Sequence, residues 1–168
     1  MSPSLGLQEA LVMAMDAELE ARTFYVRAAL EVDDPQGQDL LGRLAAFEQY
    51  HYEKLAELAR SLQEQGKFIE YKARAIEEFD PLTTGGEAAG TSLEEMADPS
   101  GILSTAIENE KKAGERYRAL YEETADPRGQ AMFRDLANEE MIHQRILEDE
   151  FFTLSNQGVW GWSGMYGE

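Results

Sequence analysis

The sequence predicts an all-α four-helix bundle, built from two pseudo-symmetric helical hairpins joined by a long crossover. Three observations lead there. The chain repeats itself at an offset of 92 residues: between positions 11 and 55, 15 of 45 residues recur identically in the second half, against about three expected by chance from average composition. Within each copy the inward positions step by three and four, the spacing of one face of an α-helix. Each copy is interrupted once, by Asp34-Pro35-Gln36-Gly37 and by Asp126-Pro127-Arg128-Gly129. These are short turns with proline placed to open the next helix.

The elements follow in order. A first helix is expected over 4–32, with Leu11, Met15, Glu18, Arg22, Tyr25 and Ala29 on one face. A second is expected over 36–65, with Leu41, Leu44, Glu48, His51, Leu55, Leu58 and Leu62 on its face. The third, over 100–124, carries Leu103, Ala106, Glu110, Ala113 and Tyr117; the fourth, over 128–155, carries Phe133, Leu136, Glu140, His143 and Leu147. Short turns make the two helices of each hairpin antiparallel neighbours. Two copies are too few for a solenoid, so residues 1–158 are expected to form one bundle, with a crossover at about 66–100. Within the crossover, 67–79 is expected as a short helix. Residues 80–101, rich in Gly, Pro, Ser and Thr, are expected as a loop. The Gly- and aromatic-rich tail, 159–168, is not helical by pattern; its Trp160 and Trp162 fit either a cap on the bundle or a subunit contact.

Composition narrows the function. Fifteen Lys plus Arg against 33 Asp plus Glu give the 168-residue chain a formal charge of −18. Such a surface repels phosphate, so neither nucleic acid nor an anionic membrane is an expected partner. The absence of Cys excludes disulfides, thiolate zinc sites, Fe–S clusters and a Cys nucleophile. No apolar run approaches the roughly 20 residues that span a bilayer, and the first residues lack the basic region of a signal peptide. A cytoplasmic protein is expected.

The chemistry sits where the apolar stripes are broken by charge. Glu18, Glu48, His51, Glu110, Glu140 and His143 occupy positions at which a core residue belongs. A lone buried carboxylate costs several kcal/mol unless it is paired or bound to metal, and four together repel. Two divalent cations cancel four carboxylates, with the imidazoles as neutral ligands. Glu and His three residues apart are neighbours on a helix, so each Glu-x-x-His can serve one metal. Two Glu-x-x-His helices plus two helices giving one Glu each is the pattern of di-iron carboxylate bundles, and mixed oxygen and imidazole ligation suits Fe or Mn. Both histidines of the chain fall in Glu-x-x-His, at repeat-equivalent positions. The expected cofactor is two iron ions, with Mn possible at one or both positions.

Four segments carry a family resemblance: ELEARTFY at 18–25, LAAFEQYH at 44–51, ENEKKAGERY at 108–117 and LANEEMIH at 136–143. On them the chain resembles the ferritin-like superfamily, and within it the rubrerythrins. The resemblance implies that Glu48 and Glu140 bridge the metals, that Glu18 and His51 complete one position, and that Glu110 and His143 complete the other. Two departures are visible. Rubrerythrins carry a Cys-rich rubredoxin domain, and this chain has no Cys, so electrons must come from an external electron-transfer protein. Rubrerythrins also carry an extra Glu where this chain has Ala113, which leaves a symmetric four-Glu, two-His set closer to that of bacterioferritin.

Tyr25 and Tyr117 lie two turns from Glu18 and Glu110. They fit three roles: hydrogen-bond donors to ligand carboxylates, one-electron donors, or core aromatics. Asp16, Glu20, Glu108 and Glu139 flank the inner stripes and are expected on solvated faces. The leading functional expectation is an oxidoreductase that reduces hydrogen peroxide or O₂, acting as a homodimer or larger homo-oligomer. The alternatives are a ferroxidase or iron-storage protein of ferritin or bacterioferritin type, and a metal-binding or radical-generating subunit without its own turnover.

Overall fold

The computed structural model describes residues 5–82 and 98–164. Four helices dominate it: α1 (Leu5–Glu31), α2 (Pro35–Gln65), α3 (Pro99–Glu123) and α4 (Pro127–Gln157). No strand occurs among the described residues, and no described helix is long and apolar enough to cross a membrane. Every helix ends within two residues of the sequence expectation. Most of the segment read as loop, 83–97, lies outside the described residues, as do 1–4 and 165–168.

Asp-Pro opens three of the four helices. Pro35, Pro99 and Pro127 lack only an N–H that the first turn leaves unpaired, while Asp34, Asp98 and Asp126 accept from the amides of Gln36, Ser100 and Arg128. At the other ends, α2 and α4 stop at Gly66 and Gly158, with φ of 66° and 72°. Only glycine takes that conformation at no steric cost.

Gly66 and Gly158 are themselves 92 residues apart, so the repeat runs beyond the identities that define it in the sequence. Two residues after each glycine stands an aromatic, Phe68 and Trp160, and each packs on the other hairpin. A Cβ at Gly37 would lie 2.7 Å from both Trp160 and Val32; one at Gly129 would lie 2.6 Å from Phe68 and Thr124. Beside each contact a glutamine closes the turn, Gln38 Nε2 donating to the Val32 carbonyl (2.7 Å) and Gln130 Nε2 to that of Thr124 (2.8 Å). The tail of each hairpin thus locks the turn of its partner. Trp160 and Trp162 are buried, and Trp162 Nε1 donates to Asp39 at 2.8 Å, so both cap the bundle from within the chain.

The structure corrects one element. Residues 67–75 are extended, not helical, and lead into a single 3₁₀ turn (Ile76–Glu78). Reach explains why. The Leu82 amide bonds to the Gly42 carbonyl at 2.9 Å, so the chain must return along α2 from residue 66 to residue 42. That stretch of α2 measures about 36 Å, whereas sixteen residues of helix cover about 24 Å and sixteen extended residues reach about 50 Å. Side chains of α2 and α4 then take up the strap's backbone groups: Ser61 donates to the Lys67 carbonyl and Tyr50 to that of Lys72, both at 2.7 Å, and the Arg74 amide donates to Glu139 at 3.3 Å.

Replacing Gly129 by Ala tests the locked turns. Alanine favours a helix by up to about 1 kcal/mol over glycine, but a 2.6 Å approach to an aromatic ring is overpacking worth about 1–3 kcal/mol. Urea denaturation of Gly129→Ala should show a net loss of stability, and Phe68→Leu in the same chain should recover part of it.

Candidate metal centre

Each helix delivers its charged residues to one level of the bundle: Glu18 from α1, Glu48 and His51 from α2, Glu110 from α3, Glu140 and His143 from α4. None of the six is more than 3% exposed. They form two groups, Glu18–Glu48–His51–Glu140 and Glu48–Glu110–Glu140–His143, and within each the potential ligand atoms lie within 4.8 Å of one another. Glu48 and Glu140 belong to both groups.

The atoms converge on a common space at distances that mostly exceed a hydrogen bond. His51 Nδ1 stands 2.8 Å from Glu140 Oε1 and 3.6 Å from both Glu18 Oε1 and Glu48 Oε2. His143 Nδ1 stands 3.8 Å from Glu110 Oε2 and 3.9 Å from oxygens of Glu48 and Glu140. Yet both Nδ1 atoms, His51 Nε2, both Glu140 oxygens and one oxygen each of Glu18, Glu48 and Glu110 lack a hydrogen-bond partner. Folded proteins rarely leave buried polar atoms so. Polar atoms of six side chains aimed at a common space, and left short of partners there, are what a cation satisfies. The residues present therefore fit a metal site.

Electrostatics sorts the carboxylates into two kinds. Burial, reinforced by Glu140, Glu18 and Glu110, pushes Glu48 well above the usual carboxylate range. Burial does the same to Glu140, reinforced by Glu110 and Glu18. The outer pair moves the other way. Burial works against ionisation of Glu18, but hydrogen bonding with Glu48, His51 and Tyr117 outweighs it. Burial likewise opposes ionisation of Glu110, yet Glu140, His143 and Tyr25 bring it down to about 2. Burial lowers both histidines, and the neighbouring carboxylates, Glu18 and Glu140 for His51 and Glu110 for His143, more than restore them. The two carboxyls that both ligand groups share are thus the ones pushed toward their neutral form.

Tyr25 and Tyr117 carry the hairpins' mutual contact at this level. Tyr25 of α1 donates to Glu110 of α3 at 2.5 Å, and Tyr117 of α3 donates to Glu18 of α1. The pair is exchanged by the 92-residue repeat, and each phenol fixes one outer carboxylate. Burial and the facing carboxylate push both phenols well above their ordinary range, so both stay protonated donors.

One acidic residue departs from its expected place. Asp16, Glu20 and Glu108 are exposed, but Glu139 is 4% exposed. Its Oε1 accepts from the Tyr71 hydroxyl at 2.5 Å and stands 3.6 Å from His51 Nε2. The strap, whose path the helical expectation missed, covers this side of α4. One signal was present in the sequence: the repeat-equivalent of Glu139 is Phe47, a core aromatic.

Comparison with known proteins agrees with the site. Residues 101–157 match the rubrerythrin family. The match takes in α3 and α4 and contains Glu110, Glu140 and His143, so the rubrerythrin resemblance rests on this half by family and extends to the first half by the internal repeat. In fold, the chain is similar to a hypothetical protein from Pyrococcus furiosus, at 25% identity over 89% of this chain and 90% of that one, with a TM-score of 0.66. No curated protein matches.

The central carboxyls yield a prediction with a definite sign. Because Glu140 is held above its unfolded range, its favourable protonated state is complete below about pH 4 and is lost as pH rises, at up to about 1.4 kcal/mol per pH unit. The Glu140→Gln variant stays neutral throughout. Without metal it should match the parent chain at pH 4 and melt higher at pH 7, while losing the stabilisation that Fe(II) or Mn(II) gives the parent chain. Thermal denaturation in chelator and in metal reads both effects.

Proposed function

We propose that the protein is a di-iron oxidoreductase that reduces hydrogen peroxide to water with electrons from an external electron-transfer protein. One observation supports the reading: two ligand groups share Glu48 and Glu140, the arrangement a dinuclear site requires. Glu18 and His51 would complete one position, Glu110 and His143 the other. A ferrous pair held there supplies two electrons together, as needed for H₂O₂ + 2e⁻ + 2H⁺ → 2H₂O without release of a hydroxyl radical. Mn at either position is compatible with the same donor set.

The chain's own residues provide the rest. Access is by a cavity of about 290 Å³ between α1 and α3 that reaches Glu18, Glu48, Glu110 and Glu140. Its walls are kept open by Ala21 and Ala113, which are repeat-equivalents one turn beyond Glu18 and Glu110. Tyr25 and Tyr117 hold the outer carboxylates while the charge of the site changes. The absence of Cys and of a second redox motif is the reason for an external donor.

Two measurements test this reading. Stopped-flow oxidation of the ferrous-loaded protein should be faster with peroxide than with O₂, and steady turnover should need a reductase with a rubredoxin-like carrier, NADH alone being inactive. Faster oxidation by O₂ with growth of a ferric mineral would move the protein to iron storage. Separately, Ala113→Leu should slow oxidation by peroxide about tenfold or more while leaving metal content unchanged, because it narrows the approach without touching a ligand.

A further inference from the structure

The four-Glu, two-His set is symmetric in its residues, but its surroundings are not. His51 Nδ1 faces inward, and its outer nitrogen, Nε2, faces Glu139 Oε1 at 3.6 Å. Glu139 is buried, and two groups of the strap hold it in place: the Tyr71 hydroxyl at 2.5 Å and the Arg74 amide at 3.3 Å. At the other half of the site the 92-residue repeat replaces Glu139 by Phe47, whose ring centre lies 4.4 Å from that of His143. Phe79, the end of the same strap, packs on Phe47 at 4.4 Å. The carboxylates near His143 all face its inner Nδ1, and its ring borders a groove of about 650 Å³ between the strap and α4. One strap, lying across the pseudo-twofold, thus seats a carboxylate of α4 3.6 Å from the outer nitrogen of His51 and backs the Phe47 ring that packs on both histidines, more closely on His143.

A carboxylate behind a ligand imidazole fixes its ring and strengthens it as a donor. Removing such a partner typically costs 10–100-fold in metal affinity. An aromatic neighbour offers neither the charge nor an acceptor for the ring N–H. Resting on the dinuclear reading above, we propose that the two metal positions are inequivalent, and that Glu139, seated by the strap, makes the His51 position the tighter and first filled. Glu139 is a positioning residue in this scheme, acting through His51.

Sequential filling alone does not establish this, because two cations sharing two carboxylates repel, and a symmetric site also fills in two steps. The first step separates the cases. In a symmetric site, weakening one position leaves its twin to take the first ion, and the first-step affinity falls at most twofold. In an inequivalent site it falls by the full difference between the positions.

The test is titration of the metal-free protein with Mn(II), followed by electron paramagnetic resonance, which separates a lone Mn(II) from a coupled pair. For Glu139→Gln, which keeps the size and hydrogen-bonding capacity of the side chain, a first-step affinity about tenfold weaker, with the second step changed little, is expected. Tyr71→Phe, which removes only the hydroxyl that seats Glu139, should shift the first step in the same direction by a smaller factor, and it serves should the first variant fail to fold. A first step unchanged within twofold in a folded variant would overturn the inequivalence and leave the dinuclear reading standing. A parent chain that takes up no second Mn(II) would overturn the dinuclear reading itself.

Discussion

Four carboxylates buried at one level of a helical bundle are the constraint on which the rest of this molecule depends. Their mutual repulsion has to be relieved, and the protein's own groups relieve it only in part. Tyr25 and Tyr117 each donate to one outer carboxylate, and the two histidines lie among the oxygens. The central pair, Glu48 and Glu140, receives no such donor and is pushed toward its neutral form by burial and by its neighbours. Two divalent cations would answer this imbalance, bringing the charge that four carboxylates lack and accepting their lone pairs. The cost of the site in the metal-free state and its affinity for metal are therefore the same property seen twice.

Pseudo-symmetry is how the chain builds such a site economically. One hairpin supplies Glu, Glu-x-x-His and a tyrosine, and its repeat supplies the complement, so that each phenol crosses to the other hairpin's carboxylate. The same exchange recurs at the ends of the bundle, where Trp160 closes on Gly37 and Phe68 on Gly129. Neither hairpin completes its turn or its ligand set without the other, which couples assembly of the bundle to assembly of the site. The strap interrupts this symmetry. It must run extended to return along α2, and in doing so it places Tyr71 over one half of the site and Phe79 over the other.

Much of this was legible in the sequence. The four helices show as three-and-four spacing bounded by Asp-Pro and glycine, and the six inward charged positions stand out because they interrupt that spacing at repeat-equivalent places. The 67–79 segment misled for a physical reason: its apolar residues suit a short helix locally, and only the distance between Gly66 and Gly42 forbids one. That distance is a tertiary fact. Glu139 was misread for a related reason. Its position beside Glu140 places it off the inner stripe of α4, and what buries it is the strap, which belongs to another part of the chain. The two tryptophans were ambiguous because a Gly-rich tail has no period to fix its path; they turn inward because Gly37 leaves a flat surface for one and Asp39 an acceptor for the other.

The most direct measurement of the central claim is anomalous X-ray diffraction at the iron edge from crystals of the protein loaded anaerobically with ferrous ion. Two peaks are expected within the carboxylate cluster, one beside His51 and one beside His143, with Glu48 and Glu140 reaching both. A single peak, or none at ligand distance from these side chains, would contradict a dinuclear centre and with it the role assigned to the four buried carboxylates.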